Sequence, residues 1–404
     1  MGRFRVTAPA DPAAEKPAEV ISLGCRLNIS ESERIAAMLA GEDVVVINSC
    51  AVTSEAVRQT RQAIRRARRA NPDARLLVTG CAADIEREEI AAMPEVDGLV
   101  ANTDKLDPRS WNAPIKDAPV VPARTRAFIG VQNGCDHACT FCVIPQGRGT
   151  SRSLSVDEVL RVVERHLEQG APEVVLTGVD LTSWGQDLPG SPGLGVLVDG
   201  ILRAFPALPR LRLSSVDGIE IDPLLFDLIT GESRVMPHLH LSLQHGHDLI
   251  LKRMKRRHSR ADAVDLVMRL KAARPAISIG ADLIAGFPTE NEAHHAANLS
   301  IIEELGIVHG HIFPYSPRPG TPAARMPQLG RAIIKQRAAA LRAETSRVRQ
   351  DWLKSLIGSP QEVLAERDGT GYGPSFARVD LPAGTAAGQI LTITPTTLEK
   401  GLLL

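Results

Sequence analysis

The stretch Cys135-Asp136-His137-Ala138-Cys139-Thr140-Phe141-Cys142 is the strongest structural signal in this sequence. Its C-x3-C-x2-C spacing lets a single loop bring three thiolates to one metal centre. Three cysteines on a four-iron cluster leave one iron without a protein ligand. A structural zinc site is the alternative, but such a site normally has four ligands, and the spare candidate, His137, lies inside the short loop. The spacing therefore predicts an iron–sulfur site.

The apolar runs around this loop predict the domain that carries it. Amphipathic stretches such as Val156–Leu167 and Ala261–Ala273 lie between these runs and predict helices. Strands that alternate with helices form parallel sheets. Residues 127–356 are therefore predicted to form a partial (β/α)6 barrel, with its chemistry at the carboxyl ends of the strands. The predicted strands are Phe128–Val131, Val174–Leu176, Leu211–Leu213, Leu239–Leu243, Ile277–Ile284 and Ile307–Phe313.

The other three cysteines, Cys25, Cys50 and Cys81, each follow an apolar run and one or two small residues. The runs Glu19–Leu23, Val44–Ile47 and Leu76–Val78 predict strands, and Ser30–Leu39 and Ser54–Ala70 predict helices between them. Residues 18–105 are thus predicted to form a parallel α/β domain, with the three thiols together at the carboxyl ends of neighbouring strands. The alternative is that these cysteines are small buried hydrophobic residues.

The remaining segments carry weaker signals. Residues 1–17 are predicted to be a short disordered lead, and residues 106–126, rich in Pro, Asp and Arg, a linker. Ala332–Leu356 predicts a long helix at the end of the barrel domain. In residues 357–404, the runs Glu362–Ala365, Ala377–Leu381 and Ile390–Ile393 predict a small β-barrel. The expected fold class is α/β with this small β domain at the C-terminus.

Composition restricts the classes of function. The 404 residues include 47 basic and 47 acidic ones, so any nucleic acid must be bound by local patches rather than by the overall field. No run of about 18 apolar residues is present, which predicts no membrane span. The N-terminus lacks the apolar core of a signal peptide, so a cytoplasmic location is expected. In that reducing compartment the six cysteines are expected to be ligands rather than disulfides.

Several motifs make this chain similar to the radical S-adenosylmethionine methylthiotransferases, and together they cover nearly the whole chain. The longest is Gly134–Ser153, and the closing segment resembles the small RNA-binding β-barrel of that family, called TRAM. The other motifs are Gly24-Cys25-Arg26-Leu27-Asn28 with Glu31, Asn48-Ser49-Cys50-Ala51-Val52, Leu176-Thr177-Gly178-Val179-Asp180, Leu243-Gln244, Leu251-Lys252-Arg253-Met254, Asp282–Pro288, and Tyr315-Ser316-Pro317-Arg318-Pro319-Gly320-Thr321.

The resemblance implies two 4Fe–4S clusters and S-adenosylmethionine as cofactors. Cys135, Cys139 and Cys142 would hold the catalytic cluster, which cleaves S-adenosylmethionine to a 5′-deoxyadenosyl radical. An auxiliary cluster on Cys25, Cys50 and Cys81 would carry the sulfur that a second S-adenosylmethionine methylates. The residues expected to bind S-adenosylmethionine are Thr177, Gly178, Ser214, Ser215, Gln244, Asp282, Gly286 and Phe313.

Two basic stretches are candidates for tRNA phosphates. The first is the run Lys252, Arg253, Lys255, Arg256 and Arg257, which follows a predicted barrel strand. The second consists of arginines at helical spacing, and for it a solvated charged face is an equal alternative. These arginines are Arg58, Arg61, Arg65, Arg68 and Arg69.

Within the family, the chain resembles most the branch that acts on threonylcarbamoyladenosine, next to the anticodon of tRNA. The chain departs from the usual pattern of that branch at two places. Gln146 stands where an aromatic residue is common, and Asp217-Gly218 replaces Glu-Pro; both are expected to shape the substrate pocket. Isopentenyladenosine in tRNA and an aspartate of a ribosomal protein are the alternative substrates. Two other classes are a radical enzyme that only methylates and a non-catalytic RNA-binding metalloprotein. An electron donor such as flavodoxin or ferredoxin is the other expected partner.

Overall fold

The structure is a computed structural model that describes the backbone of residues 3–7 and all atoms of residues 18–113 and 125–404. Within these residues the strands are β1 (Arg3–Thr7), β2 (Glu19–Leu23), β3 (Val44–Ser49), β4 (Arg75–Gly80), β5 (Gly98–Leu99), β6 (Arg126–Gly130), β7 (Gln132–Asn133), β8 (Arg152–Ser153), β9 (Glu173–Thr177), β10 (Arg210–Leu213), β11 (Ser215–Val216), β12 (His238–Gln244), β13 (Ser278–Ala285), β14 (Ile307–Pro314), β15 (Gln361–Ala365), β16 (Thr370–Tyr372), β17 (Arg378–Asp380), β18 (Ile390–Ile393), β19 (Leu398–Glu399) and β20 (Leu402–Leu403).

The helices of the same residues are α1 (Arg26–Met38), α2 (Ser54–Ala70), α3 (Cys81–Ile85), α4 (Arg87–Ala91), α5 (Ile144–Arg148), α6 (Val156–Glu168), α7 (Leu194–Ala204), α8 (Pro223–Gly231), α9 (Asp248–Arg253), α10 (Arg260–Ala273), α11 (Glu292–Leu305) and α12 (Arg331–Ser355). Short 3-10 turns lie at Pro108–Trp111, Leu181–Ser183, Gly218–Glu220 and Pro322–Arg325. No helix in the described part of the chain has both the length and the apolar character to cross a membrane.

One of two compact units contains the described residues of Met1–Ala123 together with Asn133–Arg152 and Ser316–Thr321. Its sheet has the order β1-β2-β3-β4-β5, in which β1 is antiparallel to β2 and the other pairs are parallel. Both faces of β3 are buried: Val45 and Ile47 pack on one side, and Val44 and Val46 on the other. Apolar runs buried on both faces are typical of parallel sheets. Polar side chains are therefore concentrated where the strands end.

The first unit also contains the loop with Cys135, Cys139 and Cys142, which lies inside the predicted barrel domain. Helix α5, which follows this loop, packs against α3 so closely that a Cβ on Gly147 would lie 3.2 Å from Cys81 Cα. The guanidinium of Arg148, at the end of α5, bonds to α1. These long-range contacts group the loop with the N-terminal sheet.

The second unit, Arg124–Gln132, Ser153–Tyr315 and Pro322–Leu404, contains the predicted barrel strands. They form two parallel sheets with the orders β10-β9-β6 and β11-β12-β13-β14, and only Ser214 separates β10 from β11 along the chain. The largest apolar cluster fills the space between these strands and helices α6, α7, α8, α10, α11 and α12. Each predicted barrel strand is present, and the fold class is confirmed.

The C-terminal part of the second unit is a sheet with the order β18-β15-β16-β17-β20-β19. All its pairs are antiparallel except β17 with β20, so the sheet is mixed. Val363, Ala377 and Val379 are among the residues of its own apolar cluster. This sheet fits the small β domain expected from the sequence.

Three local predictions differ from the structure. Residues 3–7, assigned to the disordered lead, form β1, because the edge of β2 offers unpaired backbone groups to another strand. The rest of the lead lies outside the described residues. In the predicted linker, Pro108–Trp111 forms a 3-10 turn, and buried Trp111 donates a hydrogen bond to Lys105 O at 2.9 Å. Residues 114–124 of that linker are likewise outside the described residues.

The third difference is the start of α1, which begins at Arg26 rather than Ser30, directly after Cys25. The N-terminal half of α1 is buried on several sides, and polar Asn28 and Glu31 are among the buried residues. An amphipathic pattern therefore does not mark these first turns.

Candidate metal centres and cofactor pocket

The loop that carries Cys135, Cys139 and Cys142 directs backbone N–H groups at its own sulfur atoms. The N–H of His137 lies 3.4 Å from Cys135 Sγ, and that of Ile144 lies 3.4 Å from Cys142 Sγ. Hydrogen bonds to cysteine sulfur are one means by which proteins set the reduction potential of an iron–sulfur cluster. The three thiols are partly exposed, so a bound small molecule can reach them. This donor set fits a cluster with one open iron.

The N-terminal thiols meet at one edge of the first unit's sheet. Cys25, Cys50 and Cys81 follow the parallel neighbours β2, β3 and β4, as the sequence predicts. Gly24 permits this approach, because at its φ of +108° a Cβ would lie 2.9 Å from Cys50 Cβ and 3.1 Å from Cys50 Sγ. Burial raises the pKa of the Cys50 thiol to about 12, and the nearby Cys25 and Cys81 add to the rise. Cys81 is also buried, whereas Cys25 is exposed. A bound metal deprotonates its cysteine ligands outright, so this triad of thiols fits a metal centre.

Two polar side chains tie the strand ends of this triad together. Asn28 Nδ2 donates to Leu23 O at 2.7 Å and to Ser49 O at 3.1 Å, which joins the ends of β2 and β3. Ser49 Oγ donates to Thr79 O at 2.6 Å, which joins β3 to β4. Both residues lie in the quoted motifs, but sequence alone did not indicate this structural role.

A buried ion network of Glu31, Lys105 and Arg148 adjoins the same triad. Lys105 Nζ lies 2.5 Å from Glu31 Oε2, and Arg148 Nη1 lies 2.8 Å from Glu31 Oε1. Arg148 Nη2 also donates to Asn28 Oδ1 at 2.5 Å. No sequence pattern indicated a role for Lys105 or Arg148. The only available signal was that Arg148 and Glu31 both lie inside motifs that also carry cysteines.

In the second unit, Thr177 and Gly178 form the end of β9 and the turn after it, as predicted. Gln132 organises this turn, because its Oε1 accepts hydrogen bonds from the N–H groups of Val179 at 3.0 Å and Asp180 at 2.9 Å. A side chain of another strand therefore fixes the backbone that the sequence assigns to cofactor binding.

Ser214 lies next to this turn, because its N–H donates to Leu176 O at 3.0 Å. Its hydroxyl is buried, and no hydrogen-bond partner for Ser214 Oγ exists among the described residues. A buried hydroxyl without a partner is costly, and a ligand oxygen would satisfy it. Ser214 thus fits the predicted contact with the ribose, whereas Ser215 begins β11 and pairs with His240.

Asp282 lies within β13, and its carboxylate contacts two histidines. His240 Nε2 lies 3.0 Å, and His311 Nδ1 3.1 Å, from Asp282 Oδ1. Burial opposes the charge on Asp282, but His240 and His311 hold its pKa below the usual range. The carboxylate of Asp282 is thus already in contact with two imidazoles, and the sequence did not indicate this pairing.

The other predicted cofactor residues lie at or near the ends of β12, β13 and β14. Gln244 has a φ of +69°, a costly conformation for a residue other than glycine and one that occurs preferentially at functional sites. Gln244 pairs with Leu283, and Phe313 pairs with Ile284, so both lie along the two edges of β13. The N–H of Gly286 donates to Glu290 Oε2 at 3.0 Å.

The predicted basic run divides into exposed and engaged residues. Lys252, Lys255 and Arg257 are exposed, but Arg257 pairs with Asp217 at 3.1 Å and Glu220 at 2.7 Å. Arg256 has a buried side chain and pairs with Asp217 at 2.8 Å. Arg253 Nη1 donates to Thr289 Oγ1 at 2.6 Å. Asp217, which belongs to one of the two departures from the family pattern, therefore fixes the positions of Arg256 and Arg257.

The arginines of α2 are mostly paired within the first unit. These ion pairs favour the alternative of a solvated charged face over a phosphate-binding one. The pairs are Arg58 with Glu55 at 2.6 Å, Arg61 with Glu86 at 2.8 Å, Arg65 with Glu95 at 3.8 Å and Arg68 with Asp97 at 2.5 Å.

Comparison with known proteins identifies the class. Residues 129–299 match the family described as the Radical SAM superfamily, and residues 18–101 match Uncharacterized protein family UPF0004. The solved structure of the radical S-adenosylmethionine methyltransferase TsrM from Kitasatospora setae is similar with a TM-score of 0.51. The likeness covers 70% of this chain and 66% of that chain at 16% identity, and so concerns the fold alone. Together with the matched family, the fold defines a radical S-adenosylmethionine enzyme.

Curated relatives narrow the class. The threonylcarbamoyladenosine tRNA methylthiotransferase MtaB of Rickettsia prowazekii is 43% identical over 95% of this chain and 96% of its own length. The tRNA-2-methylthio-N(6)-dimethylallyladenosine synthase of Novosphingobium aromaticivorans is 32% identical over 96% of each chain. This chain belongs to the family of radical S-adenosylmethionine methylthiotransferases, which confirms the resemblance drawn from the motifs.

Proposed function

We propose that the chain transfers a methylthio group to carbon 2 of N6-threonylcarbamoyladenosine next to the anticodon of tRNA. The observation that carries the reaction type is that both cysteine triads are complete and lie in the same compact unit. The substrate follows from the relatives, since the one named for threonylcarbamoyladenosine is 43% identical and the one named for dimethylallyladenosine is 32% identical.

The cofactors of such an enzyme are S-adenosylmethionine and 4Fe–4S clusters. Cys135, Cys139 and Cys142 would hold the catalytic cluster, and the thiols of Cys25, Cys50 and Cys81 would hold the auxiliary one. When bound, these cofactors supply the radical that removes hydrogen from an unreactive C–H bond, and the sulfur and methyl group of the product.

The chain's own residues would bind and orient S-adenosylmethionine. Gln132 holds the turn at Thr177 and Gly178 in place. A Cβ on Gly178 would lie 2.9 Å from Gln132 Oε1, so glycine allows this close approach. The hydroxyl of Ser214, which has no hydrogen-bond partner among the described residues, would donate to the ribose. Ser215, Gln244, Asp282, Gly286 and Phe313 complete the proposed set.

The proposed partners are tRNA and an electron donor such as flavodoxin or ferredoxin, in the cytoplasm. Lys252, Lys255 and Arg257 are the exposed members of the basic run and would meet phosphates. Arg253 and Arg256 would hold the run in shape through Thr289 and Asp217. The C-terminal mixed sheet would act as a TRAM-like RNA-binding domain.

Mass spectrometry of tRNA nucleosides from cells with and without the gene tests the substrate. Deletion is expected to remove the methylthio form of threonylcarbamoyladenosine, and the wild-type gene is expected to restore it. Persistence of that nucleoside would refute the substrate, and the isopentenyl nucleoside and the ribosomal-protein aspartate would be measured next.

Two cysteine variants test the division of labour between the triads. Cys135→Ala is expected to abolish both the methylthio product and the cleavage of S-adenosylmethionine. Cys50→Ala is expected to abolish the product while reductive formation of 5′-deoxyadenosine continues. A Cys50→Ala protein with full methylthio transfer would refute the auxiliary site, and wild-type protein without iron and sulfide would favour the non-catalytic RNA-binding alternative.

A further inference from the structure

The buried ion network of Glu31, Lys105 and Arg148 joins parts of the chain that are far apart in sequence. The side chains are 3%, 1% and 3% exposed, respectively. Arg148 makes further hydrogen bonds to Asn133 Oδ1 at 2.7 Å and Glu31 Oε2 at 3.1 Å. Lys105 Nζ also donates to Asn48 Oδ1 at 3.3 Å. Every charged group of the network therefore has several partners.

The three charged side chains of the network, one carboxylate and two cations, sum to a net charge of one positive. Burial by itself would raise the pKa of Glu31, but Arg148 and Lys105 lower it to about 2, so this carboxylate is ionised. Arg148 stays protonated in any protein environment. Burial lowers the pKa of Lys105, and the carboxylate of Glu31, 2.5 Å from Nζ, favours the protonated form. One carboxylate thus faces two cations where water is excluded, and an unbalanced buried charge is costly unless an anion lies close by.

The thiols of the N-terminal triad lie where that anion is needed. Arg148 interacts electrostatically with Cys25, Cys50 and Cys81, and Lys105 interacts with Cys81. Asn28 links the groups directly, because its Oδ1 accepts from Arg148 and lies 3.7 Å from Cys25 Sγ. Asp84 also interacts electrostatically with Lys105, but it lies 3.9 Å from Arg87, which offsets its charge. Three thiolates on a metal cluster would supply the missing negative charge.

We infer that Glu31, Lys105 and Arg148 are positioning residues of the auxiliary centre, and that their net positive charge sets the reduction potential of a cluster held by Cys25, Cys50 and Cys81. The inference rests on the proposed assignment of that cluster. Net charge and hydrogen bonding around a cluster are established determinants of its potential. If the network were purely structural, substitutions in it would lower the stability of the protein, and the reduction potential would not depend on the sign of the charge that was removed.

The test is an anaerobic redox titration, followed by electron paramagnetic resonance, of full-length protein with Cys135, Cys139 and Cys142 replaced by Ala. In this background the remaining signal belongs to the auxiliary cluster. Lys105→Met makes the network neutral, and Glu31→Gln gives it two positive charges. Because reduction adds an electron, Lys105→Met is expected to lower the potential and Glu31→Gln to raise it. At a fixed potential, each substitution is expected to change the ratio of reduced to oxidised cluster tenfold or more. For a one-electron couple this change corresponds to a shift in reduction potential of about 59 mV.

Two controls separate charge from damage. The double variant Lys105→Met with Glu31→Gln restores the net charge and is expected to return the potential towards that of the background protein. Lys354→Met makes the same substitution at a side chain that is 63% exposed and is expected to leave the potential unchanged. If Lys105→Met does not fold, Glu31→Gln, which keeps the shape of the side chain, still reports the sign.

The outcomes separate this inference from the proposed function. Shifts of opposite sign in the two single variants support the inference. Potentials that stay equal, or that shift in the same direction in both, overturn it while leaving the cluster assignment intact. A background protein that binds no iron overturns both, because the auxiliary cluster would then be absent.

Discussion

Substitution of Gly134, the residue before Cys135, tests how the catalytic loop closes. At this position φ is +78°, and an added Cβ would lie 1.9 Å from Thr150 O and 2.9 Å from Gly149 O. Real Cβ atoms essentially never come within 3.0 Å of such backbone atoms. In Gly134→Ala, the loop must therefore open where Cys135 N–H donates to Gly149 O at 3.1 Å.

The cost is local and can be worked out. The left-handed conformation costs an L-residue about 1–2 kcal/mol. Loss of the hydrogen bond from Cys135 adds about 1 kcal/mol. A total of about 2–3 kcal/mol is below the stability of about 5–15 kcal/mol of a typical native protein, so the variant is expected to fold. Its displaced Cys135 is expected to lose the loop cluster, and with it about half of the bound iron.

The assay is iron and sulfide content after anaerobic reconstitution, together with thermal unfolding. Gly170→Ala is the matched control, because Gly170 has a φ of +79° but no atom within 4 Å of an added Cβ. Gly170→Ala has the same cost of a left-handed backbone but no steric clash, and this variant is expected to keep all of its iron. Wild-type iron content in Gly134→Ala, or an equal loss of iron in both variants, would show that the loop does not need glycine at this position.

Two predictions concern the second unit. Arg212→Met breaks a buried ion pair with Glu173, 3.1 Å long, and is expected to cost about 3–5 kcal/mol in urea denaturation. Adding Glu173→Leu should recover part of that loss, and a double variant less stable than Arg212→Met would contradict this account. For His309, burial and Arg349 lower the pKa to about 3, so between pH 6.5 and 3 only the unfolded chain binds a proton there, and the free energy of unfolding falls as pH falls. His309→Gln is expected to show a shallower fall between pH 6.5 and 5, and an unchanged slope would count against this role.

The regular elements were largely predictable from the sequence. The bounds of β2 and α2 agree with the predictions, because an apolar run and a helical repeat flanked by small polar residues mark them clearly. The first turns of α1 were not predictable, since Asn28 and Glu31 are polar but buried. Their burial depends on partners that lie far along the chain, and local patterns carry no information about such partners.

The candidate site shows the same division. Spacing predicted the loop with Cys135, Cys139 and Cys142, and repeated strand ends predicted the second triad. The roles of Arg256 and Arg257 differ from a simple phosphate patch, because Asp217, about 40 residues earlier in the chain, binds both guanidinium groups. Charge runs in a sequence indicate available cations but not the carboxylates that fold against them.

The class of this protein can be recognised without its structure, because cysteine spacing and the alternation of strands and helices are local properties of the sequence. Tertiary structure alone decided which charges surround the thiols. Glu31 meets Lys105 and Arg148 across separations of 74 and 117 residues. Such contacts arise only when α1 and α5 pack near the same sheet edge, since burial and the resulting electrostatic balance depend on the whole fold.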